Sequence, residues 1–433
     1  MKKVSVALVA VLMLVIMFTG CSKKEATAGG AKAAAAKTRV EFWGHQNESW
    51  NNSHRAVIQK YNASQAETEV VPTFFPYNEF EAKIQTSLMS GGAGADLYEI
   101  WGGWALDFVE GGALSEVPET LTRSLVSDCY EPVLGALKGG GKYYGVPVEF
   151  NNEYGGMLVN TPRFKQLGIP IPTTWDEIIS VAKKTTQRRG DIFDIRGLDF
   201  ATNDTLTFTF LSMILSKDGQ YWVNNRFKFN TPQAIDALQT LVNYVLVDRI
   251  TNTDSATGTE GIESFHFIGR DEAMMVPRGP WVIAELETEY GKKIGVDFDF
   301  VPFPFWGPTK VFPAETGWSM CVPKSTKVAD AAWKYAAYFL EPDNLAQHNI
   351  NCAQIPPTKS AAKDPRILRE MPFMAPIVAI LDNSVFIGPF NTEVLKANLS
   401  QVFISLCTRD GTYASVQQAL TALENQCNSE LKL

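Results

Sequence analysis

Aromatic and polar side chains stand together where the chain leaves several predicted strands. Trp43 and His45 close the first of these strands, and Trp101 and Trp104 follow a later one. In open α/β sheets, ligands bind beyond the carboxyl ends of the strands. A ring with one C–H face and an edge of hydroxyls, as in a sugar, is well matched by flat aromatics and a few polar groups. These positions favour a cleft that binds such a ligand.

Motifs for catalysis are missing from the sequence. The four histidines form no His-Glu-x-x-His motif, and there is no Gly-x-Ser-x-Gly elbow. Residues 139–142 end in Gly-Lys but lack the earlier glycine and the following Ser or Thr of a phosphate-binding loop. The stretch 297–299 lacks the glycine and glutamate of a calcium loop. We therefore predict no enzyme, cofactor or metal. A secreted glycosidase stays the enzymatic alternative, since its two carboxylates can be distant in sequence.

The composition limits the partners of the chain. Its 433 residues carry 39 basic and 47 acidic side chains, a net charge of -8. Nucleic-acid binding needs a basic stripe, so this class is excluded. A chain this long exceeds the size of one typical core, which predicts two domains or lobes.

The N-terminus has the pattern of a secretory signal. Lys2 and Lys3 precede an apolar run that ends in Thr-Gly-Cys21. A cysteine after small residues resembles the bacterial lipobox, so we predict a signal peptide over 1–20 and lipidation of Cys21. The Ala-, Gly- and Lys-rich segment that follows buries too little to fold, and residues 21–38 are predicted to be a flexible tether. A plain signal peptide or a single-span anchor is the alternative. The prediction is a lipid-anchored protein in the periplasm or on the extracellular face of the membrane.

Five further cysteines have no assigned function. An odd number leaves at least one thiol free, and none has Cys-x-x-Cys spacing. Cys407 with Cys427, or Cys321 with Cys352, could pair in an oxidising compartment. Buried free thiols are the other interpretation.

Strands and helices alternate along the chain. Strands are predicted at 39–43, 69–75 and 97–101, with helices at 53–62 and after an N-cap at Asn78. Later helices begin at a capping box, Thr174 with Glu177, and at Thr231-Pro232. This alternation indicates an α/β fold with a mostly parallel sheet.

Several ordered motifs carry a family resemblance that spans nearly the whole chain after the tether. They are GAGAD at 92–96, GGAL at 111–114, KYYGVP at 142–147, TWDE at 174–177, FHFIGRDEAMMVPRGPW at 265–281, GWSMCVPK at 317–324 and QIPP at 354–357. In this order they resemble the extracellular solute-binding proteins of ATP-driven (ABC) importers, specifically the carbohydrate-binding, maltose-binding-protein-like group.

The resemblance implies a periplasmic-binding-protein-like type II fold, with two Rossmann-like lobes around a hinged ligand cleft. Lobe 1 would comprise 39–153 plus 314–355, and lobe 2 would comprise 154–313 plus 356–433. The implied function is to bind a mono- or oligosaccharide and deliver it to the permease, as a monomer that meets the membrane only through its lipid. A polyamine or an iron chelate remains the alternative ligand.

The resemblance also suggests the ligand-binding residues. Trp281 matches the family position that stacks on sugar, and Arg278 just before it could donate two parallel hydrogen bonds. The crossing between lobes contains 149–154, and its spacing leaves open which members face the cleft. The full predicted set is Trp281, Trp43, His45, Trp101, Trp104, Trp318, Asn152, Glu153 and Arg278.

Overall fold

The computed structural model of the chain describes residues 36–91, 94–152, 155–200, 203–259 and 261–431. Cys21 and nearly all of the predicted signal peptide and tether lie outside these residues, as does Glu153. Residues Lys37–Leu433 form one compact unit. No helix within the described ranges is long and apolar enough to cross a membrane.

Short strands supply the framework. They are β1 (Thr38–His45), β2 (Thr68–Phe75), β3 (Leu97–Ile100), β4 (Lys138–Gly139), β5 (Lys142–Tyr143), β6 (Val146–Pro147), β7 (Phe150–Asn151), β8 (Gly156–Val159), β9 (Gln187–Arg189), β10 (Ile192–Ile195), β11 (Trp222–Val223), β12 (Arg226–Phe227), β13 (Met275–Pro277), β14 (Asp299–Pro302), β15 (Phe312–Thr316), β16 (Ser319–Cys321) and β17 (Ser384–Phe386).

Helices cover these strands. They are α1 (Glu48–Ser64), α2 (Tyr77–Met89), α3 (Gly102–Glu110), α4 (Glu119–Asp128), α5 (Glu131–Gly135), α6 (Thr161–Leu167), α7 (Trp175–Thr185), α8 (Asn203–Leu215), α9 (Pro232–Leu246), α10 (Thr253–Thr257), α11 (Phe265–Gly269), α12 (Val282–Tyr290), α13 (Ala329–Phe339), α14 (Pro342–Asn351), α15 (Lys359–Ala362), α16 (Pro365–Glu370), α17 (Met374–Val378), α18 (Thr392–Thr408) and α19 (Val416–Glu430), with a 3-10 turn at Leu381–Asn383.

The largest sheet has five strands in the order β2-β1-β3-β16-β6. β1 pairs in parallel with β2 and β3, whereas β16 is antiparallel to β3 and to β6. Along β1, Val40 and Phe42 are fully buried, as the two-residue period of a strand requires. The predicted strands at 39–43, 69–75 and 97–101 are therefore confirmed.

A second sheet differs from the prediction. Its three strands run in the order β13-β8-β14, and both pairs are antiparallel. The expectation of a mostly parallel sheet is wrong here because β13 and β14 both return against β8 rather than through right-handed βαβ crossovers. Gly156 begins β8, and a Cβ there would lie 2.0 Å from the ring of Phe300 on β14, so close packing requires the glycine.

Two strands connect the regions of these sheets. β7 pairs antiparallel with β15, and β15 also pairs in parallel with β17. The chain passes from the five-stranded sheet to the three-stranded sheet through β7 and returns through β15. These two crossing strands pair with each other, so they lie side by side between the two sheets.

Helix ends follow the local sequence. Thr174 and Glu177 form the predicted capping box, with the Glu177 N–H donating to Thr174 Oγ1 at 3.3 Å and the Thr174 N–H to Glu177 Oε2 at 3.1 Å. Thr231 likewise caps α9. The predicted N-cap at Asn78 is wrong, because α2 begins at Tyr77 after Pro76. Proline disfavours a helical conformation in the residue before it, so the chain changes from strand to helix at that point.

All five described cysteines are buried free thiols. Neither of the two disulfides considered from the sequence is formed.

Candidate ligand-binding site

One cavity of about 320 Å³ lies between the two sheet regions. Its lining is aromatic and polar, and consists of His45, Gln46, Asn47, Trp50, Tyr77, Trp101, Glu149, Asn151, Asp204, Glu263, Arg278, Trp281, Trp318 and Gln354. Cavities of roughly 300 to 1,000 Å³ are typical for small-molecule ligands. The volume therefore suits a small solute.

Five aromatic side chains form one side of the cavity, which we call the aromatic wall: His45, Trp50, Tyr77, Trp101 and Trp318. Trp318 is the centre of this wall. It stacks on His45 with ring centroids 4.0 Å apart and planes 4° apart, and it contacts Trp101 at 5.5 Å and Tyr77 at 6.1 Å. Offset and edge contacts of this kind stabilise aromatic clusters. The wall is therefore a packed, preformed surface.

The sheet explains how these rings meet. His45 ends β1, and Trp101 directly follows β3, which is parallel to β1. Trp318 directly precedes β16, whose first residue, Ser319, pairs with Ile100 at the end of β3. The carboxyl ends of two parallel strands and the amino end of an antiparallel one therefore meet at the same edge of the sheet.

Charged residues form the opposite side, which we call the charged side: Asp204, Glu263 and Arg278. Arg278 follows β13, and its two terminal nitrogens bond separately, one to Asp204 Oδ2 at 3.1 Å and the other to Glu263 Oε2 at 3.0 Å. Trp281 lines the cavity on this side, and the Arg278 guanidinium lies 5.0 Å from the centre of its ring. A guanidinium over an aromatic face is an attractive arrangement.

A buried lysine supports the charged side from behind. Lys396 on α18 is 2% exposed, and its Nζ lies 2.7 Å from Asp204 Oδ1, 2.9 Å from Glu393 Oε1 and 3.8 Å from Glu315 Oε1. Glu315 also accepts hydrogen bonds from Thr392 Oγ1 and, at 3.3 Å, from Asn151 Nδ2. We call Lys396, Asp204, Glu315 and Glu393 the lysine network.

Within this network, the pKa values of Asp204 and Glu315 are shifted in opposite directions. Burial by itself would raise the pKa of Asp204, but the charges of Lys396 and Arg278 hold it below its ordinary value. For Glu315, burial outweighs the opposing charge of Lys396 and raises the pKa to about 7. Of these two carboxyls, Asp204 is therefore the one that is ionised beside the buried ammonium.

The crossing strand contributes two polar lining residues. Glu149 and Asn151 flank the fully buried Phe150, so the two-residue period of the strand turns both toward the cavity. Glu149 Oε1 accepts a hydrogen bond from the backbone N–H of Trp318 at 3.0 Å. This hydrogen bond therefore connects the region of the crossing strand β7 to Trp318 of the aromatic wall.

Five of the predicted site residues line this cavity together: His45, Trp101, Arg278, Trp281 and Trp318. Trp43 does not line it and packs between the rings of Phe75 and Tyr98. Trp104 is 2% exposed and packs behind Trp318.

Asn152 also lies outside the lining. It is 1% exposed, and its Oδ1 accepts a hydrogen bond from the Gly155 N–H at 2.7 Å, so this oxygen already has a backbone partner. The alternation Glu149, Phe150, Asn151 is the sequence signal that identifies the cavity-facing residues of this crossing. Glu153, the other predicted residue here, falls in one of the gaps between the described ranges.

Other lining residues were not identified from the sequence. Trp50 is on the apolar face of α1, Tyr77 begins α2, and Gln354 lies inside the QIPP motif. Asp204 could be found as the acidic residue in the first turn of the otherwise apolar α8. Glu263 precedes α11 and has no distinguishing signal.

Within the described ranges, no group of three or more His, Cys, Asp or Glu side chains is arranged to hold a metal ion. Tyr143 and Tyr144, which could have suggested iron, do not line the cavity and pack partly buried against the core.

Comparisons with known proteins agree with this architecture. The family model of bacterial extracellular solute-binding proteins matches residues 48–346. The multiple sugar-binding protein of Streptococcus mutans is 20% identical over 301 residues, which cover 67% of each chain.

Two solved structures illustrate the likeness in fold. The maltose-bound MalE3 of T. maritima has a TM-score of 0.76 at 18% identity, over 91% of this chain and all of that one. The GacH receptor of Streptomyces glaucescens, solved unliganded and with acarbose, has a TM-score of 0.76 at 16% identity, over 92% of this chain and all of that one. These likenesses confirm the predicted type II fold, with two lobes of mixed α/β structure around a cleft.

Proposed function

Because this chain belongs to the bacterial extracellular solute-binding proteins, which are binding proteins and not enzymes, we propose that it binds a carbohydrate in its cleft. In this proposal the bound sugar is delivered to the permease of an ABC importer. The named relatives that bind or carry sugars support this choice of ligand class.

The aromatic wall is the observation that carries the proposal. Trp318, Trp101 and Trp50 present ring surface toward a cavity that Trp281 borders from the opposite side. Hydrogen-bonding groups of Glu149, Asn151 and other polar residues lie between the two sides. Rings on two sides with polar groups between them match the C–H faces and hydroxyl edges of a sugar. The modest volume favours a short saccharide.

The charged residues that line the cavity limit the net charge of the proposed ligand. Glu149, Asp204 and Glu263 supply three carboxylates against the single guanidinium of Arg278. An anionic sugar would bring a further negative charge into this partly enclosed space, at a cost in desolvation and repulsion. We therefore propose a neutral carbohydrate. The same excess of carboxylates favours a polyamine as the second candidate, because a cation would neutralise it.

Titration of intrinsic tryptophan fluorescence tests this proposal. The panel contains neutral mono- and disaccharides, a uronic acid, spermidine and an iron chelate. Saturable quenching by a neutral sugar, without turnover, supports the proposal. Saturation by spermidine alone would replace it with the polyamine function. Mass spectrometry of ligand that co-purifies with the protein would identify the compound.

The delivery step rests on the predicted hinge. We propose that the lobes are 39–153 plus 314–355 and 154–313 plus 356–433, and that they close on the ligand. The pairing of β7 with β15 near these predicted crossings supports this division. Small-angle X-ray scattering should show a smaller radius of gyration at saturating sugar, with the protein monomeric throughout. An unchanged scattering curve would argue against closure.

We also propose that Cys21 is lipidated after cleavage of residues 1–20, and that the 21–38 tether holds the protein near the importer. The lipobox-like Thr-Gly-Cys21 sequence supports this step. Cys21→Ser should release the protein from membranes and leave sugar affinity unchanged. Membrane association that persists in this variant would contradict lipid anchoring through Cys21.

A further inference from the structure

A fully buried carboxylate lies directly behind the aromatic wall. Glu99 is in β3 between apolar neighbours and is 0% exposed. Its Oε2 lies 2.9 Å from His45 Nδ1 and also accepts the His45 backbone N–H at 3.2 Å. Its Oε1 lies 2.9 Å from His54 Nε2. A charge this deep is tolerated only when hydrogen bonds satisfy it, and here two imidazoles and a backbone amide do so.

These contacts fix which nitrogen of each imidazole carries a proton. An ionised carboxylate only accepts hydrogen bonds, so both histidines must donate to Glu99. Burial by itself would raise the pKa of Glu99, but His54 and His45 hold that pKa well below its ordinary value, which agrees with an ionised group. His45 is therefore protonated at Nδ1. In the neutral ring, Nε2 then carries a lone pair.

The other ring nitrogen of His45, Nε2, is on the edge of the ring opposite Glu99. His45 is among the lining residues, and its Nε2 has no hydrogen-bond partner among the described residues. The ring itself cannot turn freely, because it stacks on Trp318 at 4.0 Å and contacts the edge of Trp50 at 5.1 Å. A fixed acceptor is thus available to a ligand hydroxyl.

His54 is a different case, although it shares the same carboxylate. It is 0% exposed, and its Nδ1 is buried without a hydrogen-bond partner in the described chain. Its ring packs 4.9 Å from that of His348, whose pKa is well below its ordinary value because of burial and the nearby His54. Of the two described histidines that contact Glu99, His45 is therefore the one that also lines the cavity.

We propose that Glu99 is a positioning residue for ligand binding, which holds His45 so that Nε2 accepts a hydrogen bond from a hydroxyl of the bound ligand. The inference rests on the proposed carbohydrate function, and it adds a residue that never touches the ligand. Replacing Glu99 by glutamine is the natural disruption. A glutamine side chain has one acceptor and one donor group, so it cannot accept from both imidazoles.

Nitrogen-15 NMR of histidine-labelled protein tests the tautomer without any ligand. The chain has only four histidines, and a His45→Gln variant assigns the signal of interest. We expect His45 protonated at Nδ1 in the wild type, and a shift toward the Nε2-protonated tautomer in Glu99→Gln. A wild-type His45 in the Nε2-protonated tautomer, or one protonated at both nitrogens so that Nε2 can only donate, would overturn the inference, even if the variant fails to fold.

Affinity for the sugar that quenches the wild type gives the second readout. One misdirected hydrogen bond corresponds to a loss of roughly three- to tenfold in affinity, which we expect for Glu99→Gln and for His45→Gln. Glu424→Gln is the matched control, because Glu424 accepts the Phe229 and Asn230 N–H groups and lies away from the cavity. Its affinity should equal that of the wild type.

The outcomes separate the two proposals. A wild type that binds no carbohydrate contradicts the proposed function, whatever the tautomer. A wild type that binds sugar, and a folded Glu99→Gln variant with unchanged tautomer and affinity, contradict the positioning role alone. For a variant that does not fold, a wild-type His45 Nε2 resonance that does not move at saturating sugar would also overturn it.

Discussion

The two sides of the cleft are built on different physical principles. The aromatic wall packs through ring contacts, and its polar atoms are few. On the charged side, Arg278 bonds to Asp204 and Glu263, while Lys396 bonds to Asp204 from behind. The wall is therefore a preformed surface whose rings are largely held by one another, with Tyr77 as its most exposed member at 47%. The charged side offers groups that already have partners.

This difference suggests a division of roles. Covering an aromatic ring removes apolar area from water, which contributes affinity without breaking existing contacts. A ligand that bonds to Arg278 or Asp204 must share or replace an ion pair, so the net gain is small and depends on geometry. We expect substitutions in the lysine network to change mainly the free energy of unfolding. Substitutions of exposed ring surface should change mainly ligand affinity.

The largest expected effect is that of Lys396→Met. This change removes the buried ammonium and leaves Asp204 and the other network carboxyls without their main partner. Breaking a buried pair from one side costs about 3 to 5 kcal/mol in the free energy of unfolding. Urea unfolding measures this loss.

Lys334→Met is the matched control for this change. Lys334 pairs with Glu67 at 3.5 Å on the surface, with the two side chains 65% and 79% exposed. We expect a change of about 0.5 kcal/mol or less. If Lys396→Met were no more destabilising than this control, the lysine network would not be a stabilising element.

A second prediction concerns the pH dependence of stability. Burial raises the pKa of Glu315 to about 7 from an ordinary value of 4.5. Between these values the folded protein holds a proton that the unfolded chain has released. The stabilising contribution is therefore complete below pH 4.5 and is lost as pH rises through 7. The total is about 3 kcal/mol at most.

Glu315→Gln stays neutral at every pH and should remove this contribution, which is read as the difference between the pH slopes of wild type and variant. His348, whose pKa is lowered by burial, contributes a slope of opposite sign that both proteins share. The measurement is urea unfolding of wild type and variant at pH 4.5, 5.5, 6.5 and 7.5. If the free energy of unfolding of Glu315→Gln depended on pH as steeply as that of the wild type, groups other than Glu315 would be responsible for the dependence.

Below this range the free energy of unfolding changes with pH in the opposite direction, because Asp204 and Glu99 have lowered pKa values. Their contribution is present above about pH 4 to 4.5 and is lost as pH falls further.

The third prediction concerns the partly exposed ring of Trp281. Trp281 is only partly buried and lines the cavity beside Arg278. If a sugar covers roughly 60 to 100 Å² of the ring, the contribution is about 1.5 to 2.5 kcal/mol. Trp281→Ala should therefore weaken binding by roughly tenfold to almost a hundredfold in fluorescence or calorimetric titrations. Its effect on unfolding should be smaller than that of Lys396→Met.

Trp306→Ala controls for the loss of a tryptophan. Trp306 is also partly buried, contacts Lys217 at 4.2 Å, and does not line the cavity. Its affinity should stay at the wild-type value. Equal affinities for Trp281→Ala and Trp306→Ala would place Trp281 outside the ligand site and contradict a role of its partly exposed ring in binding.

The same division explains what the sequence could predict. The aromatic wall follows strand ends, so His45, Trp101 and Trp318 could be located from strand patterns and local motifs. From the sequence, Trp43 and Trp104 are equally plausible lining residues, because a tryptophan that packs in the core and one that lines a cavity look alike in sequence. Only their contacts in the folded chain separate them, because Trp43 packs against Phe75 and Tyr98 and Trp104 packs behind Trp318.

The charged side was largely inaccessible to sequence reasoning. Arg278 could be proposed because it precedes Gly-Pro-Trp281, but its partners come from distant segments. Asp204 is 74 residues away along the chain, and Lys396 lies on α18 near the C-terminus. Long-range ion pairs leave no periodic signal, so only the folded structure shows that these groups share one network.

The smallest expected effect concerns a hydrogen bond that joins the two sides. Asn47 Nδ2, at the aromatic end of the cleft, donates to Glu285 Oε1 on α12 at 2.6 Å. Burial, together with the nearby Glu289 and Glu48, raises the pKa of Glu285 above its ordinary value.

If this bond helps to hold the sides together around a ligand, Glu285→Ala should weaken binding by about threefold. It should also increase the radius of gyration of the ligand-free protein in solution scattering. Glu287→Ala, on the exposed face of the same helix, should change neither quantity. Equal results for the two variants would mean that the aromatic wall and the charged side approach each other without this bond, so that closure depends on the hinge strands and the ligand alone.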